Sequence, residues 1–118
     1  MADRVEINPD WPWAKDFRIA QGVKVGDTVY VSGQVGFDRE GHIVGGNDMK
    51  AQAKQTFENI EAVLAEAGAT MEDVVKILAF ITDMDKYPDY AAARSEAFPR
   101  NIPASATVST PVLVNPDL

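Results

Sequence analysis

Apolar and polar positions alternate through residues 27–35 (DTVYVSGQV), where β-branched and aromatic side chains face small or polar neighbours directly after the turn sequence Val25-Gly26-Asp27, and this predicts a strand. Residues 37–44 set the polar run Asp38-Arg39-Glu40-Gly41 between apolar flanks, which predicts the turn of an antiparallel hairpin. The period then lengthens. Ala53, Phe57, Ile60, Leu64 and Ala67 recur at steps of three and four, with Lys54, Glu58, Glu61 and Glu66 mostly elsewhere, so residues 49–67 form an amphipathic helix. Asn47 or Asp48 can cap its first amides, and Gly68 can take the left-handed conformation at its end.

Thr70-Met71-Glu72-Asp73 reads as a short capped turn leading into a strand over residues 74–82 (VVKILAFIT). A second helix is expected over about residues 86–98, with Asp83 or Asp85 as cap and Pro88 in its first turn. Residues 104–110 (ASATVST) form a small, hydroxyl-rich strand reached from Asn101-Ile102-Pro103, with 112–114 as a candidate extension past Pro111. Asn115-Pro116-Asp117-Leu118 is a turn with no strand behind it, so a final strand is expected after residue 118.

The strand at 74–82 is apolar on both faces, at Val75, Ile77, Ala79 and Ile81 on one and at Val74, Leu78 and Phe80 on the other. Such a strand is covered on both sides, as in a helix-backed parallel sheet. Two helices shield only one face of a sheet of roughly four to six strands. Leaving the other face wet forgoes roughly 1.5–3 kcal/mol per large side chain, so self-association through the sheet is the simplest arrangement.

Composition narrows the classes. A chain of 118 residues, 46% hydrophobic and 25% charged, is one globular α+β domain spanning 1–118. It has no cysteine, which rules out a disulfide framework, a thiolate metal site and a thiol nucleophile, and suits a reducing compartment. No basic-then-apolar leader and no run of about 18 apolar residues is present, so the expectation is a cytoplasmic protein without a membrane partner. A formal charge of −7 opposes a phosphate backbone, and Arg4, Lys15, Arg18 and Lys24 are scattered, so a nucleic-acid partner is not expected.

The series Gly26-Asp27-Thr28-Val29-Tyr30-Val31-Ser32-Gly33-Gln34, a hairpin, Ala51-Gln52-Ala53 through Asn59-Ile60 on a helix, Gly68, Asp73-Val74-Val75-Lys76 and Pro103-Ala104 resembles the RidA (YjgF/Rid) family over residues 17–108. The resemblance implies a chorismate-mutase-like fold: a mixed six-stranded sheet with two helices on one face, assembled as a homotrimer with ligand clefts between subunits. It also implies hydrolysis of reactive imines and enamines, such as 2-aminoacrylate, to a keto acid and ammonia. The active deaminases of that family carry Pro-Ala-Arg where this chain has Pro103-Ala104-Ser105. A guanidinium grips a carboxylate with two parallel hydrogen bonds and a serine offers one neutral donor, so a ligand without the simple amino-acid carboxylate is expected.

In the same resemblance the pocket tyrosine falls on Ile19, the asparagine and tyrosine of the second helix fall on Ala91 and Arg94, and the glutamate of the final strand lies after residue 118. Ser32, Gly33 and Gln34 match the pocket pattern, so the candidate ligand-binding set is Ile19, Ser32, Gly33, Gln34, Arg94, Ser105 and Thr107. Ser105, Thr107 and Ser109 share one strand face, suited to a polar pocket or to packing on a neighbouring subunit. Arg94 can reach the cleft in place of the missing guanidinium, as Arg18 can, although a surface ion pair with a nearby glutamate is the favoured reading.

The remaining candidates read as structure. His42, the only histidine, belongs to an exposed turn; Asp83, Asp85 and Asp89 are capping residues without a calcium-loop spacing. Trp11 and Trp13 pack the N-terminal arm rather than close a lid, and the glycines make no phosphate loop, so neither metal nor cofactor is implied. Two functions follow: a deaminase-type hydrolase acting on an altered small imine or enamine, or a trimeric small-metabolite binding protein without turnover. Ribonuclease activity, also reported in the family, finds no support in the charge or in a histidine pair.

Overall fold

The turn Gly26-Asp27 is tight enough for Val25 and Thr28 to face each other directly, because Gly26 adopts φ +58°. In the computed structural model, which describes residues 3–118, it joins β2 (Gly22–Val25) to β3 (Thr28–Val31), and β1 (Arg4–Ile7) adds antiparallel to the other edge of β2. Neither β1 nor β2 was anticipated from the pattern. The strand expected over 27–35 ends at Val31, because Ser32 and Gln34 turn their side chains to Ala20 and Gln21. The hairpin that follows is as expected: Phe37 pairs with Ile43, Gly41 sits at φ +83°, and the Asp38 carboxylate accepts from the amides of Glu40 and His42 at 2.9 Å each.

Helix α1 (Met49–Glu66) starts where Asp48 accepts the Ala51 amide at 3.0 Å and ends ahead of Gly68 at φ +78°. Thr70 and Asp73 then cap each other reciprocally before β4 (Lys76–Ile81). Helix α2 (Tyr87–Ala97) carries Pro88 in its first turn and leads to β5 (Ala104–Ser109), parallel to β4. Asp83 caps the short turn Met84–Lys86 instead of α2 itself, and residues 112–114 add no strand.

The architecture is the expected one, two helices on a mixed set of strands, with five strands among the described residues: β1-β2-β3 antiparallel and β4-β5 parallel. Val29 and Val31 of β3 and Ile77, Ala79 and Ile81 of β4 pack on one cluster built from Phe57 and Leu64 of α1 and Tyr90, Ala93 and Phe98 of the α2 region. Val63 and Ala67 close a second cluster with Ile7 and Trp11, against which Trp13 also packs. The faces turned from the helices stay apolar and open in the single chain. Tyr30 is 65% exposed, Leu78 57% and Phe80 51%. No helix among the described residues is long and apolar enough to cross a membrane.

Gly22 lets the sheet come close to α1, since a Cβ there would stand 2.8 Å from Cγ1 of the fully buried Val63. Gly22→Ala is therefore expected to lower the unfolding free energy by about 1–3 kcal/mol. In a Val63→Ala background most of that added loss should disappear, as urea denaturation at one fixed protein concentration would measure. Strictly additive losses would refute the close approach.

Candidate functional site

Parallel pairing of β5 with β4 sets Ser105 beside Ile77 and Thr107 beside Ala79, so both hydroxyls share the face that looks toward the helices. From α2, Tyr87, Tyr90 and Arg94 lie along one stripe at steps of three and four. Tyr87, Arg94, Ser105 and Thr107, with Ile102 and Pro103 from the loop before β5, line an open cavity of about 390 Å³.

Arg94 is held by aromatic side chains. Its Nη2 donates to the Tyr87 hydroxyl at 3.2 Å, and its guanidinium carbon lies 5.7 Å from the Tyr87 ring centre and 5.4 Å from that of Tyr90. The hydrogen bond to Tyr87 raises the Arg94 pKa above its already high ordinary value, against the opposing effect of burial. The site therefore carries a permanent positive charge at every physiological pH. Beside it, the Tyr90 and Thr107 hydroxyls are buried without a hydrogen-bond partner. None of the residues lining the cavity is a carboxylate or an imidazole.

Of the residues singled out in the sequence, Arg94, Ser105 and Thr107 meet here, whereas Ile19, Ser32, Gly33 and Gln34 do not line this cavity. Ser32 donates its hydroxyl to the Ala20 carbonyl, and Gln34 Nε2 donates to Gln21 Oε1 at 2.9 Å and to the Ser32 carbonyl at 3.2 Å. Open space surrounds Gly33, and Ile19 is exposed. Asn59 secures the segment that follows: its buried amide donates to the carbonyls of Val35 and Phe37 at 3.0 and 2.8 Å and accepts from Gln55 at 2.9 Å.

The glutamate ion pair expected for Arg94 does not form: Glu96, two residues on, faces another side of α2 and engages Lys50 at 3.1 Å, while the guanidinium folds back along α2 to Tyr87. Arg18 and Ser109 are exposed and outside the cavity. His42 is a turn residue, its side chain 80% exposed and its Nδ1 4.0 Å from Asp38. Trp11 is buried and stacks on Trp13 at 5.8 Å, which is packing of the arm. Tyr87 and Tyr90 were not singled out from the sequence, although their spacing from Arg94 was the available signal.

A family model described as Endoribonuclease L-PSP matches residues 16–118. A RutC family protein of Pyrococcus abyssi is 41% identical over 90 residues, covering 75% of this chain and 70% of that protein. A 2-iminobutanoate/2-iminopropanoate deaminase of Dermatophagoides farinae is 40% identical over 90 residues, with 75% and 70% covered. The crystal structure of RidA from an Antarctic Psychrobacter is 38% identical and superposes with a TM-score of 0.85 over 93% of this chain and 89% of that one.

Asn59→Leu keeps the number and branching of side-chain heavy atoms but strands the Phe37 carbonyl, whereas the Val35 carbonyl keeps the Phe37 amide at 2.8 Å. A loss of about 1–3 kcal/mol is expected if water cannot reach that carbonyl. Hydrogen exchange should accelerate over residues 33–37 and remain unchanged in β4 and β5; uniform acceleration across the chain would contradict a local role.

Proposed function

The chain belongs to the YjgF/RidA family, and from that premise we propose that the cavity between α2 and β5 receives a small imine, enamine or related reactive metabolite and promotes its hydrolysis, within a homotrimer whose clefts lie between subunits. The observation that carries this reading is the convergence of one fixed cation and two strand hydroxyls on a single open cavity beside Pro103. Hydrolysis of an imine needs little machinery. Water adds to the C=N carbon, the nitrogen takes a proton, and collapse of the adduct yields a carbonyl compound and ammonia. The exposed Ser105 hydroxyl can orient the water, with Thr107 next to it on the same strand face, and the cation holds the ligand while it reacts.

Assembly supports the same reading. Tyr30, Leu78, Phe80 and Val108 form apolar sheet surface that a single chain leaves in water, at a cost of roughly 1.5–3 kcal/mol per large side chain. The patch of Ile19, Ser32, Gly33 and Gln34, which its own cavity does not use, is then available to a neighbour's cleft. The unpaired outer edges of β3 and β4 favour a sixth strand joining the strands of this single domain into one sheet. The lack of cysteine suits a cytoplasmic setting.

A second reading, ligand binding without turnover, is favoured by the lining of the cavity, which offers no carboxylate or imidazole as general base. Ribonuclease chemistry is less favoured, since the single histidine lies in an exposed turn and the chain carries a net charge of −7.

Incubation with 2-aminoacrylate generated by a pyridoxal-phosphate lyase should release ammonia and pyruvate faster than the protein-free control. An unchanged rate, together with a thermal shift on adding a metabolite, would establish the binder instead; a ligand at one hundred times its dissociation constant adds about 2.7 kcal/mol. The double substitution Leu78→Glu, Phe80→Glu should convert the assembly to monomer in sedimentation velocity, and a monomeric unsubstituted protein would remove the trimer.

A further inference from the structure

Hydrolysis of a C=N bond moves a proton onto the nitrogen twice, once before water adds and again before ammonia leaves. The cavity between α2 and β5 therefore needs a group that gives up a proton and takes it back. Of the residues that line it, Ile102 and Pro103 have no such group, and the guanidinium of Arg94 stays protonated. The Thr107 hydroxyl is buried, and Ser105 carries an aliphatic alcohol, a far weaker acid than a phenol. Tyr87 is left.

The setting of Tyr87 suits that task. Its side chain is half-buried and lines the cavity, whereas the neighbouring Tyr90 is 6% exposed with its hydroxyl sealed away. The Tyr87 oxygen accepts from Arg94 Nη2 at 3.2 Å, so its own hydrogen is directed elsewhere and finds no acceptor among the described residues. A ring alone would seat the guanidinium; the hydroxyl adds a proton that nothing else in the protomer uses. A phenolate formed there keeps a charge-assisted bond to Arg94. Tyr87 is also the first residue of α2, the end at which the helix dipole favours negative charge.

We propose that Tyr87 is the proton donor to the ligand's nitrogen in this cavity and, in hydrolysis, the catalytic acid. The second half of that statement rests on the reading of the cavity as a hydrolase site. The phenol proton passes to the imine nitrogen, and the phenolate stays paired with Arg94. Water adds through its oxygen to the carbon, the C=N π pair moves onto nitrogen, and the added oxygen loses one proton to the phenolate. The restored phenol then protonates the amine. The C–N bond breaks with its electron pair on nitrogen, the hydroxyl oxygen closes a C=O bond, and its proton returns to Tyr87. In sum, imine and water become a carbonyl compound and ammonia, with Tyr87 unchanged. An enamine enters the same route as its imine tautomer.

Tyr87→Phe keeps the ring against Arg94 and removes only the proton. With 2-aminoacrylate supplied by a pyridoxal-phosphate lyase, kcat at about pH 8 should fall about 10²-fold while KM changes by less than about threefold. The deficit should shrink toward about pH 6, where solvent protonates the imine, whereas a residue that merely shaped the site would leave it constant. A second measurement involves no reaction. Pyruvate oxime offers a C=N nitrogen that accepts a hydrogen bond, and methacrylate has a similar outline without one. By calorimetry the unsubstituted protein should bind the oxime about tenfold more tightly, and Tyr87→Phe, its fold checked by circular dichroism, should bind the two alike. Equal turnover in the two proteins, or an oxime preference that survives Tyr87→Phe, would overturn the proposal. A Tyr87-dependent oxime preference without any turnover would uphold the donor and sink only the hydrolase; neither preference nor turnover would sink both.

Discussion

Helix α1 is buried on two flanks at once, and everything else in the chain is placed by that. Val63 and Ala67 meet Ile7 and Trp11 of the N-terminal part, while Ala53, Phe57 and Leu64 meet Ile81, Tyr90 and Phe98 of the C-terminal part. Val29 and Val31 of β3 touch both clusters, so the two strand groups share one helix as their common floor. Phe57 carries the constraint to the site. It stacks on Tyr90 at 6.1 Å and meets Phe98 edge-on at 5.6 Å, fixing α2 over β5. Because Tyr90 is one of the two rings beneath Arg94, the cation of the cavity is positioned ultimately by the core of α1.

Elements written in local chemistry were legible in the sequence. The steps of three and four in α1, the Asp48 cap and the glycine at 68 each act within a few residues, and so does the Asp38 carboxylate that shapes the hairpin. β1 was not legible. Its four residues alternate, but with charges on one side and only Ile7 buried, and it is a strand because β2 offers it an edge. β2 begins at a glycine, which weighs against a strand on propensity; Gly22 is there because Val63 leaves no room for a Cβ. The strand expected over 27–35 stops at Val31 for the same kind of reason, since the buried Gln21 draws Gln34 aside.

The site divides in the same way. Alternation placed Ser105 and Thr107 on one face, and register with Ile77 and Ala79 confirms it. The partners of Arg94 follow from helical spacing: Tyr90 and Tyr87, four and seven residues back, share its face, whereas Glu96, two residues on, faces elsewhere and meets Lys50 of α1. Ser32, Gly33 and Gln34 matched a pocket pattern yet lie outside the protomer's own cavity, a separation that depends on how strands are placed in space and that no spacing along the chain encodes.

A cation on a strand and a cation on a helix are fixed by different means. Strand residues inherit their direction from the backbone ladder, so a guanidinium next to Pro103 would be aimed by pairing with β4 alone. A long side chain in the last turn of a helix has no such guide and loses up to about 2 kcal/mol of rotamer freedom if it is to point one way. Tyr87 and Tyr90 provide the missing guide, with both ring centres within 5.7 Å of the guanidinium carbon and the Tyr87 hydroxyl accepting from Nη2. The same move frees position 105 for a small hydroxyl. The cation of the cavity thus comes from α2 and its hydroxyls from β5, so the two sets of side chains can vary independently in a way that a single strand carrying both would not permit.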